Sequence, residues 1–274
     1  MAGHTDTKTI DQFLAENPNV DVSRYWERCW SILSGVKERI AERFPGLERE
    51  PNTADRDYYT SPNGEWEGSM KAWSGPGMDW LVNSWLGNRQ ASILDMNATA
   101  FLGQETDVPH LVIVFGTIPK LFFYADYTPR RDLSVDLDYL DRYYGDDVNQ
   151  WYLGLRGNAN FQWSVSHGTY MRALVNPVTQ SLMADLNDAN IDTLEAYVDE
   201  KVTRWLGWLD DAPAVPEADR ERLQQRDYVM RSASYGRDPM NKLAVQVFGE
   251  DMVDTMVDIR MGREQMQRAM QGEG

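Results

Sequence analysis

The stretch from Tyr58 to about Tyr127 most constrains how this chain can fold. It holds successive short apolar or alternating runs: "EWEGSMKAW", "ASILDMNATAFL", "HLVIVFG" and "KLFFYADY". Runs of this kind read as β-strands. The connections between them are too short for the crossovers that parallel neighbours need, so a mostly antiparallel meander is expected. "GTIPK" predicts a tight turn that pairs the last two runs into the hairpin "VPHLVIVFGTIPKLFFYADYTPRRDL".

Helical patterns flank this region on both sides. "TIDQFLAEN" and "DVSRYWERCWSILSGVKERIAERF" precede it, and the second carries the stripe Val22, Trp26, Cys29, Leu33, Val36, Ile40, Phe44 at steps of three and four. Downstream, "SVDLDYLDRYYG" predicts a short capped helix. "NIDTLEAYVDEKVTRWLGWL" puts Ile191, Leu194, Val198, Val202, Trp205 and Leu209 on one face. "EADRERLQQRDYVMR" predicts a charge-laced helix with Asp227 and Arg231 four apart, and a last helix starts near "RDPMNK" and runs through "FGEDMVDTMVDIRMGREQM". "FQWSVSHGTYMRALVNP" suits either a strand or irregular structure. Helices before and after an antiparallel sheet predict an α/β (α+β) fold, a three-layer α/β/α sandwich with a central, mostly antiparallel sheet. A single domain over residues 1–274 is expected, with residues 1–7 as a loose tail.

Composition narrows the function classes. A formal net charge of -16 argues against a general nucleic-acid binder, because a polyanion would be repelled. No apolar run is long enough to span a bilayer and no basic leader precedes one, so a cytoplasmic chain without membrane insertion is expected. The single cysteine, Cys29, falls on the helical stripe and reads as core. The ten tryptophans suit a flat apolar pocket or a core of large side chains. Glycine-rich nucleotide motifs and G-x-S-x-G are absent. His4, His110 and His167 lack the companions of a zinc site. "NAT" at Asn97 matches a glycosylation sequon by chance.

A polar residue inside an apolar strand is exposed, satisfied or useful. Asp95, His110 and Asp126 are such residues. Counted from the turn, His110 and Asp126 lie close to opposite one another. They read either as paired strand ends or as a proton-donating pair beneath a pocket, where burial raises a carboxyl pKa. Asp238 before Pro239 suits a helix N-cap. Arg130, Arg131 and Arg172 suit either substrate carboxylates or ordinary ion pairs. Asn241 joins them as a substrate-binding candidate.

"SWLGNRQASILDMNATAFL", "VPHLVIVFGTIPKLFFYADYTPRRDLSVDLDYLDRYYG" and "TYMRALVNP", with "ERLQQRDYVMR" and "FGED", resemble red chlorophyll catabolite reductase and the broader ferredoxin-dependent bilin reductases over roughly residues 60–260. The resemblance implies an antiparallel sheet between two helical layers, with an open-chain tetrapyrrole held between the sheet and the C-terminal helices. It implies no bound flavin or nicotinamide, single electrons from ferredoxin, and protons from pocket residues. By the same resemblance Asp126 is the principal proton donor. His110 bonds the substrate or hands on protons, Asp238 protonates a peripheral group, and Asp95 stands near a further pocket acid. The chlorophyll branch has a glutamate where this chain has Val114. Arg220, Arg222, Arg226, Arg231 and Arg237 cluster in sequence as a candidate ferredoxin face. A same-fold enzyme for a smaller aromatic compound and a tetrapyrrole carrier without turnover are the competing readings.

Overall fold

The computed structural model describes residues 22–88, 92–117, 120–166 and 168–271. The tail, the helix predicted over "TIDQFLAEN", the centre of the "GTIPK" turn and His167 lie outside those residues. Among the described residues one antiparallel sheet runs in the order β1-β3-β4-β5-β6-β7-β9-β8, with β2 pairing β3. Its strands are β1 (Glu48–Arg49), β2 (Tyr59–Thr60), β3 (Glu67–Gly75), β4 (Met78–Asn88), β5 (Ile93–Leu102), β6 (His110–Thr117), β7 (Leu121–Thr128), β8 (Gln162–Trp163) and β9 (Gln180–Ala184). The antiparallel meander expected from residues 58–127 is therefore present. β4 is an addition to it: nearly all of its residues are buried whichever way they point, so it lacks the alternation that marks a strand in sequence.

One face of the sheet packs on α1 (Ser23–Arg43) and α5 (Asp188–Asp211). Cys29, Leu33 and Ile40 from α1 meet Met96, Ile113, Phe123 and the α5 residues Leu194 and Trp205 in one apolar cluster. Cys29 is fully buried there, which pushes its thiol up to about 12. Arg24 with Asp188, Arg28 with Glu195 at 3.0 Å, Arg39 with Asp199 at 2.8 Å and Arg43 with Asp210 at 3.2 Å rise together along both chains. The two helices thus run parallel. Each exposed pair adds less than about 1 kcal/mol, so the apolar stripes carry the packing.

Between β7 and β9 lie α2 (Leu137–Tyr144), α3 (Asp146–Arg156) and the short α4 (Thr169–Ala173). Asp136 caps α2 by accepting from the Tyr139 N–H, as its sequence predicts. The segment readable either way resolves into β8, α4 and irregular chain.

The other face is covered by α6 (Glu217–Gly236), α7 (Asn241–Phe248), α8 (Glu250–Met261) and α9 (Arg263–Met270). The single last helix expected from sequence is three. Gly249 and Gly262 separate them with φ of 82° and 69°, a region that side chains with a Cβ avoid. A Cβ on Gly262 would also stand 2.8 Å from the Trp80 ring, so this break lets the chain pass close over the sheet. Asp238 does not cap α7. Its carboxylate accepts from the Met240 N–H at 2.9 Å in an Asx turn, and the helix begins at Asn241.

Candidate functional site

Register assigns each strand residue to a face. Val112 stands opposite Asp126, and His110 opposite Thr128, so His110 and Asp126 share a face but are offset by one pair. Asp95, Asn97, Thr99 and Phe101 of β5 lie on the same face. The α6–α9 layer packs on the β3–β5 part of it, where Trp80 donates to the Ile259 carbonyl at 2.8 Å. Toward β6 and β7 the cover thins. Residues on the α1 side of these strands are buried, whereas Val112, Val114, Phe122 and Tyr124 are only half-buried. That alternation marks a strip of the sheet face that the C-terminal helices cover only partly, a candidate cleft with a largely apolar floor.

Asp126 sits in this floor, 1% exposed. Its Oδ1 accepts from Asn176 Nδ2 at 2.6 Å and Thr179 Oγ1 at 2.9 Å, and its Oδ2 from Thr128 Oγ1 at 3.0 Å. The turn after α4 is folded for this purpose: Asn176 Oδ1 accepts from the Val178 N–H, and Asn176 Nδ2 also reaches the Tyr127 carbonyl. Burial raises the Asp126 pKa, while Lys201 and the three donors oppose the rise without cancelling it. Lys201 of α5 lies behind the strand, fully buried, with its Nζ 3.1 Å from Gln180 Oε1 and 3.5 Å from the Tyr127 ring centroid. Burial holds its pKa down to about 7 against the pull of Asp126. A carboxyl group whose pKa is raised by burial holds its proton more readily than a free one and can deliver it to a basic partner.

His110 is not at the cleft surface and does not pair with Asp126. It is 1% exposed, and its Nδ1 accepts from the Leu102 N–H at 3.1 Å. The ring hydrogen therefore sits on Nε2, which faces Asp227 Oδ1 at 3.4 Å. Burial lowers its pKa to about 4, so it stays neutral at physiological pH. Arg130 is equally interior: its Nε and Nη2 bond Asp227 Oδ2 at 2.9 and 2.7 Å, and its Nη1 bonds the Gly103 carbonyl at 2.9 Å and that of Thr106 at 2.5 Å. With those donors engaged it is not placed to grip a substrate carboxylate. Burial is the largest single influence on Asp227 and pushes its pKa up, but Arg130 and His110 together outweigh it and hold the pKa near 2. Arg131 points elsewhere, to Asp107 at 2.9 Å and Asp136 at 3.2 Å. Arg172 is exposed on α4 and bonds the Ser166 carbonyl at 3.2 Å.

Asp95 and Asp238 come together at the other end. Asp95 accepts from Arg260 Nη2 at 2.7 Å, and the charges of Arg260 and Asp95 both act on Asp238. Burial raises the Asp238 pKa above the usual carboxylate range. Tyr235 from α6 packs edge-on against Phe101, with centroids 6.2 Å apart. Asn241 donates to the Tyr235 carbonyl at 2.7 Å, so it braces this corner. From strand spacing and rise, Asp95 and Asp126 stand roughly 17 Å apart along the floor. Acids at both ends of an elongated apolar floor suit an extended molecule protonated at more than one place.

Several of these residues escape sequence reasoning. Lys201 lies three residues past Val198 on the predicted apolar stripe, a signal that a cation is buried there. Tyr124 shares a strand face with Asp126 by parity alone. Asp227 and Arg231 read as an i,i+4 surface pair, yet both are buried and they bond other partners. Arg231 binds Asp79 and donates from Nε to the Met261 carbonyl at 2.8 Å. Of the five clustered arginines, one at least is no part of a surface face. Arg231 is interior, Arg226 bonds the Pro129 carbonyl, and Arg222 pairs with Asp219.

A sheet sandwiched between helices, with a buried acid in a cleft under the C-terminal layer, places the chain by fold with the bilin reductases. The solved phytochromobilin synthase from tomato, in complex with biliverdin, superposes with a TM-score of 0.73 over 86% of this chain and 82% of its own, at 16% identity. The family model of red chlorophyll catabolite reductase matches residues 31–261, and the chain belongs to that family. It is similar to the chloroplastic red chlorophyll catabolite reductase of Arabidopsis thaliana, at 24% identity over 82% of this chain and 76% of that protein. It is also similar to a chloroplastic red chlorophyll catabolite reductase of Oryza sativa subsp. japonica, at 25% identity over 57% and 51%. These names correct the cytoplasmic placement expected from sequence, since they point to a plastid.

Proposed function

We propose that this protein reduces an open-chain tetrapyrrole, a bilin or a chlorophyll catabolite, by alternating single-electron transfer with protonation from acids of the cleft. The observation that carries the reading is Asp126: a buried carboxyl group with a raised pKa, in a cleft of the fold that holds biliverdin in the tomato enzyme. Electrons come one at a time from a ferredoxin, and the protein needs no flavin or nicotinamide of its own. Each electron makes the bound pigment more basic, and Asp126 protonates it before the next arrives. Asp238, whose pKa burial raises, serves the far end of the pigment. Asp95 with Arg260 and Asn241 with Tyr235 position that end, and Arg172 at the exposed rim meets a propionate. His110 and Arg130 act through Asp227, fixing α6 over the cleft rather than touching substrate.

Val114, half-buried between Asn97 and Tyr124, keeps the centre of the floor apolar and favours a bilin-like pigment over one that needs a central acid. The test is to mix the protein with biliverdin and then add ferredoxin, its reductase and NADPH under anaerobic conditions. A shifted pigment band on mixing, followed by bleaching, is expected. Binding without bleaching would mark a carrier, and no spectral change would remove the tetrapyrrole from the account.

A further inference from the structure

We propose that the Tyr124 hydroxyl is the group that touches the pigment and passes it the Asp126 proton. The proposal rests on the tetrapyrrole reading above and extends it to the reacting atoms. Asp126 is too enclosed to reach a ligand unaided. It is 1% exposed, and three of the roughly four acceptor positions of its carboxylate are taken by Asn176, Thr179 and Thr128. Most of the groups around it offer no exit. Thr128 and Thr179 are buried, Asn176 cannot give up a proton, and Val112, directly opposite on β6, is apolar. Lys201 lies on the other side of the sheet. Tyr124 alone among them joins both environments. It lies two residues along the same strand face, close enough to Asp126 for the two groups to act on each other, and is half-buried in the part of the floor between Val114 and Ser181.

The chemistry suits a phenol. Burial raises the Tyr124 pKa well above its usual value, so the hydroxyl keeps its hydrogen while the enzyme waits. One electron from the iron–sulfur donor turns the bound tetrapyrrole into its radical anion. The Tyr124 O–H bond then breaks as a bond to hydrogen forms on that anion, leaving a neutral radical. In the same step the phenolate oxygen takes the carboxyl proton of Asp126, which becomes a carboxylate. Solvent reprotonates it before the second electron arrives.

The experiment compares wild type, Tyr124→Phe, Asp126→Asn and the double variant by anaerobic single-turnover absorption with biliverdin and reduced ferredoxin. Tyr124→Phe should bind biliverdin within threefold of wild type and lose about 100-fold or more in the protonation rate. The double variant should be no slower than Asp126→Asn alone, because the two groups act as one unit. A second readout is independent of turnover: the infrared carbonyl band of protonated Asp126 should shift in Tyr124→Phe, with unchanged circular dichroism showing that the variant is folded. An active wild type whose Tyr124→Phe form turns over within threefold overturns the relay and leaves the tetrapyrrole reading standing. An unmoved carbonyl band also overturns it. A wild type inert toward biliverdin overturns both.

Discussion

Replacing Lys201 with methionine should stabilise the protein at neutral and acidic pH and destabilise it in alkali. The folded pKa is about 7 against an unfolded value of 10.5, so between these limits the unfolded chain binds more protons. Wild-type stability therefore rises with pH across that window, by up to about 1.4 kcal/mol per unit. The penalty for holding the ammonium in the core is fully present below pH 7. The shift corresponds to about 5 kcal/mol, and the Tyr127 and Trp151 rings, at 3.5 and 5.5 Å, offset on the order of 2 kcal/mol of it. Methionine removes the penalty but leaves Gln180 Oε1 without its donor, which costs about 1–3 kcal/mol at every pH. Asp126 and Arg204 are the other charged groups acting on this site, and both residues are retained in the variant. Urea unfolding followed by tryptophan fluorescence at pH 6, 7, 8, 9 and 10 should show the variant more stable at pH 6 and the two curves crossing before pH 10. A stability difference that does not change with pH would refute the buried, depressed lysine. The same variant loses the cation that lowers Asp126, so the alkaline limb of pigment reduction should move upward.

Asp227→Asn leaves Arg130 as an unpaired buried cation and should cost about 3–5 kcal/mol, read as a fall in urea midpoint. Asp227→Leu combined with Arg130→Met should recover most of the loss. His110 is held neutral with a pKa of about 4 against 6.5 unfolded, so wild-type stability falls as pH drops from 6.5 toward 4, by about 3 kcal/mol in all. His110→Asn should flatten that limb in acid titrations. Gly262→Ala puts a Cβ in the left-handed region and into the Trp80 ring, and thermal unfolding should show a loss above about 2 kcal/mol. Arg172→Ala should weaken binding of biliverdin but not of its dimethyl ester, as measured by absorption titration.

Much of the architecture was legible because apolar periodicity reports burial directly. The α1 stripe, the α5 stripe and the β5–β7 runs each fall where the pattern puts them. β4 was not legible, since a strand buried on both faces has no period to detect. The three-part C-terminal layer was hidden because a glycine at positive φ interrupts a helix without disturbing its hydrophobic pattern. At the site, Asp126 stood out as an acid in an apolar strand, but its relation to His110 depended on register. A shift of one pair moved the histidine from partner of Asp126 to partner of Asp227. Asn176 and Thr179 lie far from Asp126 in sequence and meet it only through the turn before β9, and Lys201 acts on it from across the sheet only through the packing of α5. No local signal carries such a contact.

The central claim is that Asp126 supplies the proton that follows the first electron. The most direct measurement is electron paramagnetic resonance of Asp126→Asn, frozen after mixing with biliverdin and reduced ferredoxin. The account predicts that this variant binds the pigment, accepts one electron and accumulates an organic radical near g = ~2 that wild type passes through without build-up. Turnover at the wild-type rate with no radical would contradict it.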